Sequence, residues 1–172
     1  NSKGLNVTAP MPRPAGLALA IGSVLGVALP LSAWAAGGAE TKGSMETDGS
    51  TGTKITEVGS DGNHWKVTTD TIKASNGGAV AFNSFRKFGV EEGQTVDLIL
   101  PKDLDDNQVY NLVNLVSDSK AYINGNLNGY LSDEATVGGR VFFVDPHGLL
   151  VGDKGVVNVG SLSVATPTPD AM

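Results

Sequence analysis

The chain of 172 residues contains no cysteine, only two histidines, and few aromatic residues, which make up 6% of it. The absence of cysteine excludes disulfide bonds, thiol catalysis and thiolate metal sites. The histidines, His64 and His147, are far apart in sequence and do not suggest a metal-binding pair. The sequence therefore predicts neither a metal site nor a cofactor.

Positive charge is also scarce, since 12 lysines and arginines stand against 18 acidic residues, a net charge of −6. The basic residues nowhere cluster with aromatic ones. An acidic surface of this kind argues against binding to nucleic acid or to anionic lipid.

A long apolar run occurs once, near the start of the chain. The uncharged run Ala15–Leu29 follows two basic residues and precedes the small-residue sequence Ala33-Trp-Ala35. This order is typical of a secretory signal peptide handled by the Sec machinery, with cleavage after Ala35, so residues 1–35 are predicted to be removed. A transmembrane anchor is the alternative, but the run is shorter than the roughly 20 residues that a spanning helix needs. Because Asn1 is not an initiator methionine, we expect a longer precursor.

Residues 36–53 consist mainly of glycine, serine, threonine and charged residues without apolar periodicity, and they predict a flexible leader. The ordered domain is expected to span residues 54–172. Because Lys3 and Arg13 leave with the signal, the leader and the ordered domain together carry 10 basic and all 18 acidic residues, a net charge of about −8.

Short apolar runs separated by turns dominate the rest of the chain. Val96, Leu98 and Leu100 occupy every second position, as residues on one face of a strand do. Trp65 is interpreted as a residue that packs in the core or the cap, not as a platform for a ligand. Near the end of the chain, four apolar runs lie between turns that contain proline or glycine: Val141–Val144, Leu149–Val151, Val156–Val159 and Leu162–Ala165. Such spacing is compatible both with hairpins and with the corners of a solenoid.

The run VFFVDPHGLLVGDKGVVNVGSL, which starts at Val141, resembles the secretion-domain core of two-partner secretion exoproteins, the filamentous-haemagglutinin-like adhesins. In that family an Asn-Pro-Asn-Gly or Asn-Pro-His-Gly turn is followed by V-x-G and V-N-V-G-x-L. Residues 81–90 resemble the family's N-x-F-x-x-F-x-V element, and residues 111–116 and 123–128 resemble its N-L-V and I-x-G-x-L elements. The family often carries an extended signal peptide, of which residues 1–35 would be the C-terminal part.

The resemblance implies an all-β fold, a right-handed parallel β-helix with an N-terminal cap and a small extra-helical sheet. At 20 to 25 residues per coil, the ordered domain predicts roughly five coils. A β-sandwich is the alternative, since strands every 8 to 12 residues also suit that fold.

The resemblance also implies a function: a secretion-targeting and β-helix-nucleating domain of a large exported filamentous adhesin, at the bacterial surface or secreted. Its implied partner is an outer-membrane transporter that recognises the domain in the periplasm through polypeptide-transport domains. A host-cell receptor would be bound through downstream regions. The residues implied to serve transporter recognition and folding are Asn83, Phe85, Phe88, Asn111, Asn114, Asp145, Pro146, His147, Gly148, Asn158 and Gly160.

Two other functions remain open from the sequence. One is a secreted β-helical enzyme that degrades polysaccharides, and the other is a glycan-binding adhesin module. An enzyme would have to use acidic or basic residues set in a groove. The candidates are Asp97, Lys102, Asp103, Asp105, Asp106 and His147, and none of them forms a recognisable catalytic or calcium-binding motif.

Asp145 departs from the family, which has asparagine at this turn. An ionised aspartate accepts hydrogen bonds as asparagine does, but it cannot donate one. We therefore hypothesise that residue 145 acts as an acceptor for N–H groups around His147 and Gly148, with Pro146 fixing the backbone. Asp145→Asn is then expected to fold nearly as well as the parent chain.

Overall fold

A computed structural model of the protein describes residues 38–168, and within this part the chain forms β-strands and no helix. Residues 38–168 therefore contain no helix that could span a membrane. The predicted signal peptide, with Ala33 and Ala35, lies outside the described residues. The strands are β1 (Thr41–Lys42), β2 (Met45–Thr47), β3 (Lys54–Glu57), β4 (His64–Thr68), β5 (Ile72–Ser75), β6 (Gly78–Lys87), β7 (Gly89–Val90), β8 (Thr95–Ile99), β9 (Asn111–Val116), β10 (Ala121–Ile123), β11 (Asn126–Tyr130), β12 (Arg140–Val144), β13 (Leu149–Val151), β14 (Val156–Asn158) and β15 (Ser161–Ala165).

Successive coils stack in parallel. The first coil contains β6, β7 and β8, the second β9, β10 and β11, and the third β12, β13 and β14, while β15 starts the next. Each strand pairs with its counterpart one coil away, which gives three parallel sheets. The predicted all-β parallel β-helix is confirmed.

The number of coils differs from the roughly five expected, because three complete coils occupy the described residues. Val80 pairs with Asn111, Asn111 with Arg140, and Arg140 with Ser161, so the successive repeats are 31, 29 and 21 residues long. Only the third repeat has the expected length. Residues 100–110 and 131–139 form loops between strands in the first two coils, and these loops use the residues that further coils would have needed.

Antiparallel strands cap the first coil. Strands β3 and β4 form an antiparallel pair that extends the sheet of β8, while β2 and β5 both pair antiparallel with β6. Since an unpaired end coil exposes backbone donors and acceptors, these strands protect the start of the β-helix.

The cap begins earlier than Lys54, inside the expected flexible leader at residues 36–53. Residues 41–47 form β1 and β2, and Met45 is buried. Gly43 lies so close to the buried ring of Trp65 that a Cβ atom there would stand 2.8 Å from it. The segment is ordered by packing on a distant aromatic ring, which its own composition does not reveal.

Inward-facing residues of the three sheets form one apolar core. In the longest sheet Ala81, Leu112 and Val141 lie in register, and all three are fully buried. Each coil therefore buries its apolar side chains against the coil before it, which is the main favourable contribution to stacking.

Candidate functional site

Eight of the eleven implied recognition residues fall into three groups: an aromatic cluster, a buried asparagine ladder and a turn. The aromatic cluster contains Phe85 and Phe88 of the first coil and Phe143 of the third. The ring centroids of Phe85 and Phe88 are 5.0 Å apart in an edge-to-face arrangement, and those of Phe88 and Phe143 are also 5.0 Å apart. All three side chains are buried. They hold the coils together from inside, so in the folded domain no partner can reach them.

Asn83 and Asn114 form the ladder. They are paired in register on β6 and β9, and both are fully buried. Asn83 Nδ2 donates to Asn114 Oδ1 over 3.0 Å, and Asn114 Nδ2 donates to the carbonyl oxygen of Phe142 over 3.1 Å. The ladder therefore carries hydrogen bonds across three consecutive coils. Buried amides of this kind specify the register of stacking, because a shifted coil would leave them without partners.

Asn114→Ala is expected to destabilise the domain by about 1–3 kcal/mol, since it leaves the buried Nδ2 group of Asn83 without its acceptor. Urea unfolding of the purified chain measures this loss. Asn126→Ala is the matched control, because Asn126 is exposed and makes only a 3.5 Å contact with Thr95 Oγ1. Equal midpoints for the two variants would contradict a stabilising role for the ladder.

The ladder continues into the cap through residues that the sequence did not single out. Thr53 Oγ1 donates to Asn83 Oδ1 over 3.0 Å and accepts from the backbone N–H of Ser84 over 3.1 Å. Asp48 accepts from the hydroxyl groups of Ser84 and Ser50 at 2.6 and 2.7 Å. Although partial burial opposes ionisation of Asp48, hydrogen bonds from Ser84 and Ser50 lower the pKa of its carboxyl group.

These cap residues lie in or beside the segment predicted as a flexible leader. Short hydroxyl and carboxyl side chains are common in both loops and hydrogen-bonded networks, so their type alone gave no signal. Only the pairing of the cap with β6 identifies their role.

The turn is built around Asp145, which is fully buried. Its Oδ1 accepts from the backbone N–H of His147 over 2.8 Å, and its Oδ2 accepts from the backbone N–H of Ala121, in the coil before, also over 2.8 Å. His147 Nδ1 lies 3.3 Å from Oδ1, and the His147 side chain is half exposed. Asp145 thus ties the turn to the neighbouring coil.

The backbone conformation of the turn explains why it contains Pro146 and Gly148. The N–H of Gly148 donates to the carbonyl oxygen of Asp145 over 3.0 Å, not to its side chain. Gly148 has φ +87, a left-handed conformation that glycine adopts without strain. Pro146 occupies the position after Asp145, where its fixed φ favours the turn.

The remaining implied residues do not join these groups. Asn111 lies on the outer face, where its Oδ1 accepts from Arg140 Nε over 2.7 Å. Asn158 is exposed on β14, in register with Asn128. Gly160 is a close-approach position, since a Cβ atom there would lie 2.3 Å from the carbonyl oxygen of Gly139.

Most of the candidate enzyme residues are engaged in structural contacts. Asp97 accepts from Asn128 Nδ2 over 2.8 Å and lies 2.6 Å from His64 Nε2. Asp103 accepts from two backbone N–H groups of its own loop, and the hydrogen bond from Asn107 is the main cause that lowers the pKa of its exposed carboxyl group. Lys102 forms an ion pair with Asp106 over 3.1 Å. In residues 38–168, no three acidic, histidine or cysteine side chains are grouped to hold a metal ion.

Comparison with known families gives one match. The model of a family described as TPS secretion domain matches residues 44–171. No curated protein and no solved structure matches the chain. The matched range begins inside the cap and includes all three coils.

Proposed function

The chain belongs to the family of TPS secretion domains, which target two-partner secretion exoproteins for export, and we propose that it targets a large filamentous adhesin to its partner transporter and nucleates its β-helix. The family match over residues 44–171 is the observation that carries the proposal. The family is one of targeting domains, not of catalysts.

Recognition by the transporter precedes folding in this proposal. The buried positions of Phe85, Phe88, Asn83 and Asn114 support that order, because a partner can contact these side chains only in a chain that is not yet folded. The transporter, an outer-membrane protein with periplasmic polypeptide-transport domains, would bind the extended chain. The same residues would then form the core and the ladder once the chain has crossed.

The proposed nucleating role rests on the third coil and on β15, which starts the next coil. Val151 is in register with the buried Ile123 and Val164 with the buried Phe143, so both lie in the inward-facing rows. Both are nevertheless more than 40% exposed. A further coil stacked on this edge would bury them, and the capped domain thereby lowers the cost of adding coils.

The test is export. We expect the chain to reach the culture medium when it is produced with the outer-membrane transporter of its two-partner system, and to stay in the periplasm when that transporter lacks its periplasmic domains. The measurement is the fraction of the chain in the medium, with a periplasmic marker enzyme as the leakage control. Equal amounts in the medium with the intact and the truncated transporter would contradict the proposal.

A further inference from the structure

One outer face of the β-helix is apolar where a solenoid normally presents polar side chains. On the sheet formed by β6, β9 and β12, Leu112 and Val141 face the core, so Val113 and Phe142 face outward. Phe82, Val113 and Phe142 are in register and form an outward row, and Leu115 and Val144 lie beside it. We name the row Phe82–Val113–Phe142 the outer apolar row.

Cations flank this row. Lys73 pairs with Val80, Val80 with Asn111, and Asn111 with Arg140, so these four residues form a second outward row next to the first. Neither Lys73 nor Arg140 has a carboxylate within ion-pair distance in residues 38–168. Both cations are therefore available to an acidic partner, on a chain whose net charge is −6.

A groove lies between the two rows. Its volume is about 440 Å³, and it is lined by Val80, Val113, Phe142, Asn111, Arg140 and the turn after β5. The Arg140 guanidinium is oriented by the 2.7 Å bond from its Nε to Asn111 Oδ1. Its remaining N–H groups are therefore held in place for an incoming carboxylate, and such preorganisation lowers the entropic cost of binding.

We propose that this face binds an amphipathic helix of a protein partner, with apolar side chains on the outer apolar row and acidic side chains against Lys73 and Arg140. The face offers no free backbone groups, since the sheet uses them in its own ladder. An extended peptide would therefore leave its own backbone groups without protein partners, whereas a helix satisfies them internally. Lys73 and Arg140 are three strand spacings apart, about 14 Å at 4.8 Å per spacing, a distance that about nine helical residues span.

The probe is a fluorescein-labelled helical peptide of 18 residues, with leucine at spacings of three and four and glutamate along one flank. Its matched control carries lysine in place of each glutamate. Fluorescence anisotropy with the full chain is expected to show binding of the glutamate peptide and at least ten-fold weaker binding of the lysine peptide. If the lysine peptide binds equally well, the proposed charge recognition is wrong.

Variants assign the binding to this face. Arg140→Glu and Phe142→Ser are each expected to raise the Kd for the glutamate peptide at least ten-fold. Arg86→Glu is the control, because Arg86 is exposed but lies outside the groove. Circular dichroism and the urea midpoint confirm folding, and Lys73→Glu replaces any variant that fails to fold. Equal effects of Arg140→Glu and Arg86→Glu would overturn the proposal, and neither result depends on export.

Discussion

Phe143→Ala is expected to lower the free energy of unfolding by about 3–5 kcal/mol, the range measured when a buried phenylalanine is truncated in a core. Phe143 is fully buried, and its ring centroid is 5.0 Å from that of Phe88. Its removal leaves a cavity in the core and also ends the tilted ring contact with Phe88. Urea unfolding followed by circular dichroism measures the loss.

Phe142→Ala is the matched control for this prediction. The two phenylalanines are neighbours on β12, but strand alternation turns Phe142 outward. Because Phe142 is partly buried, the control is expected to lower the free energy of unfolding by about 1–2 kcal/mol, less than Phe143→Ala does. A larger loss for Phe142→Ala than for Phe143→Ala would mean that β12 has the opposite orientation.

Strand positions were predictable where apolar residues alternate within a short window. Val96, Leu98 and Leu100 were assigned to one face of a strand by their spacing, and all three are fully buried. Such positions obey a local rule, since alternate side chains of a strand point to opposite faces. The stacking of the coils does not follow from such local spacing. It was predicted from the resemblance to the family motifs.

The cap and the number of coils could not be derived from local patterns. Met45 is a single apolar residue in a polar segment, and its burial depends on partners far along the chain. The loops at residues 100–110 and 131–139 lengthen two coils without any signal that separates them from strands and corners. The continuous run Val141–Val144 places apolar side chains on both faces of a strand, but the outer apolar row also depends on the register between coils, which local spacing does not give.

The asparagine positions show a different limit. The sequence placed Asn111 and Asn114 in one motif, yet Asn114 is buried in the ladder and Asn111 lies on the outer face. Three residues apart on a strand, they point to opposite sides. The motif is therefore not one site, and its members serve packing and surface contacts separately.

Asp145→Ala is expected to lower the free energy of unfolding by about 2–4 kcal/mol, because hydrogen bonds to charged groups contribute about 1.5–3 kcal/mol each. The variant removes both acceptors, the one for the His147 N–H and the one for the Ala121 N–H. The Ala121 N–H keeps a second acceptor, the carbonyl oxygen of Gly148 at 3.0 Å, which limits the loss. The urea midpoint and the yield of exported chain are expected to fall together.

Asp145→Asn tests which property of the carboxyl group matters. The sequence led us to expect nearly unchanged folding, but the structure shows both carboxyl oxygens accepting from backbone N–H groups. An asparagine keeps one acceptor and turns an NH₂ group toward the other N–H, so we now expect a loss of about 1 kcal/mol, between the parent and Asp145→Ala. Denaturant midpoints of the three chains decide the order. If Asn is as damaging as Ala, the turn requires the negative charge itself, and hydrogen-bond acceptance alone does not explain residue 145.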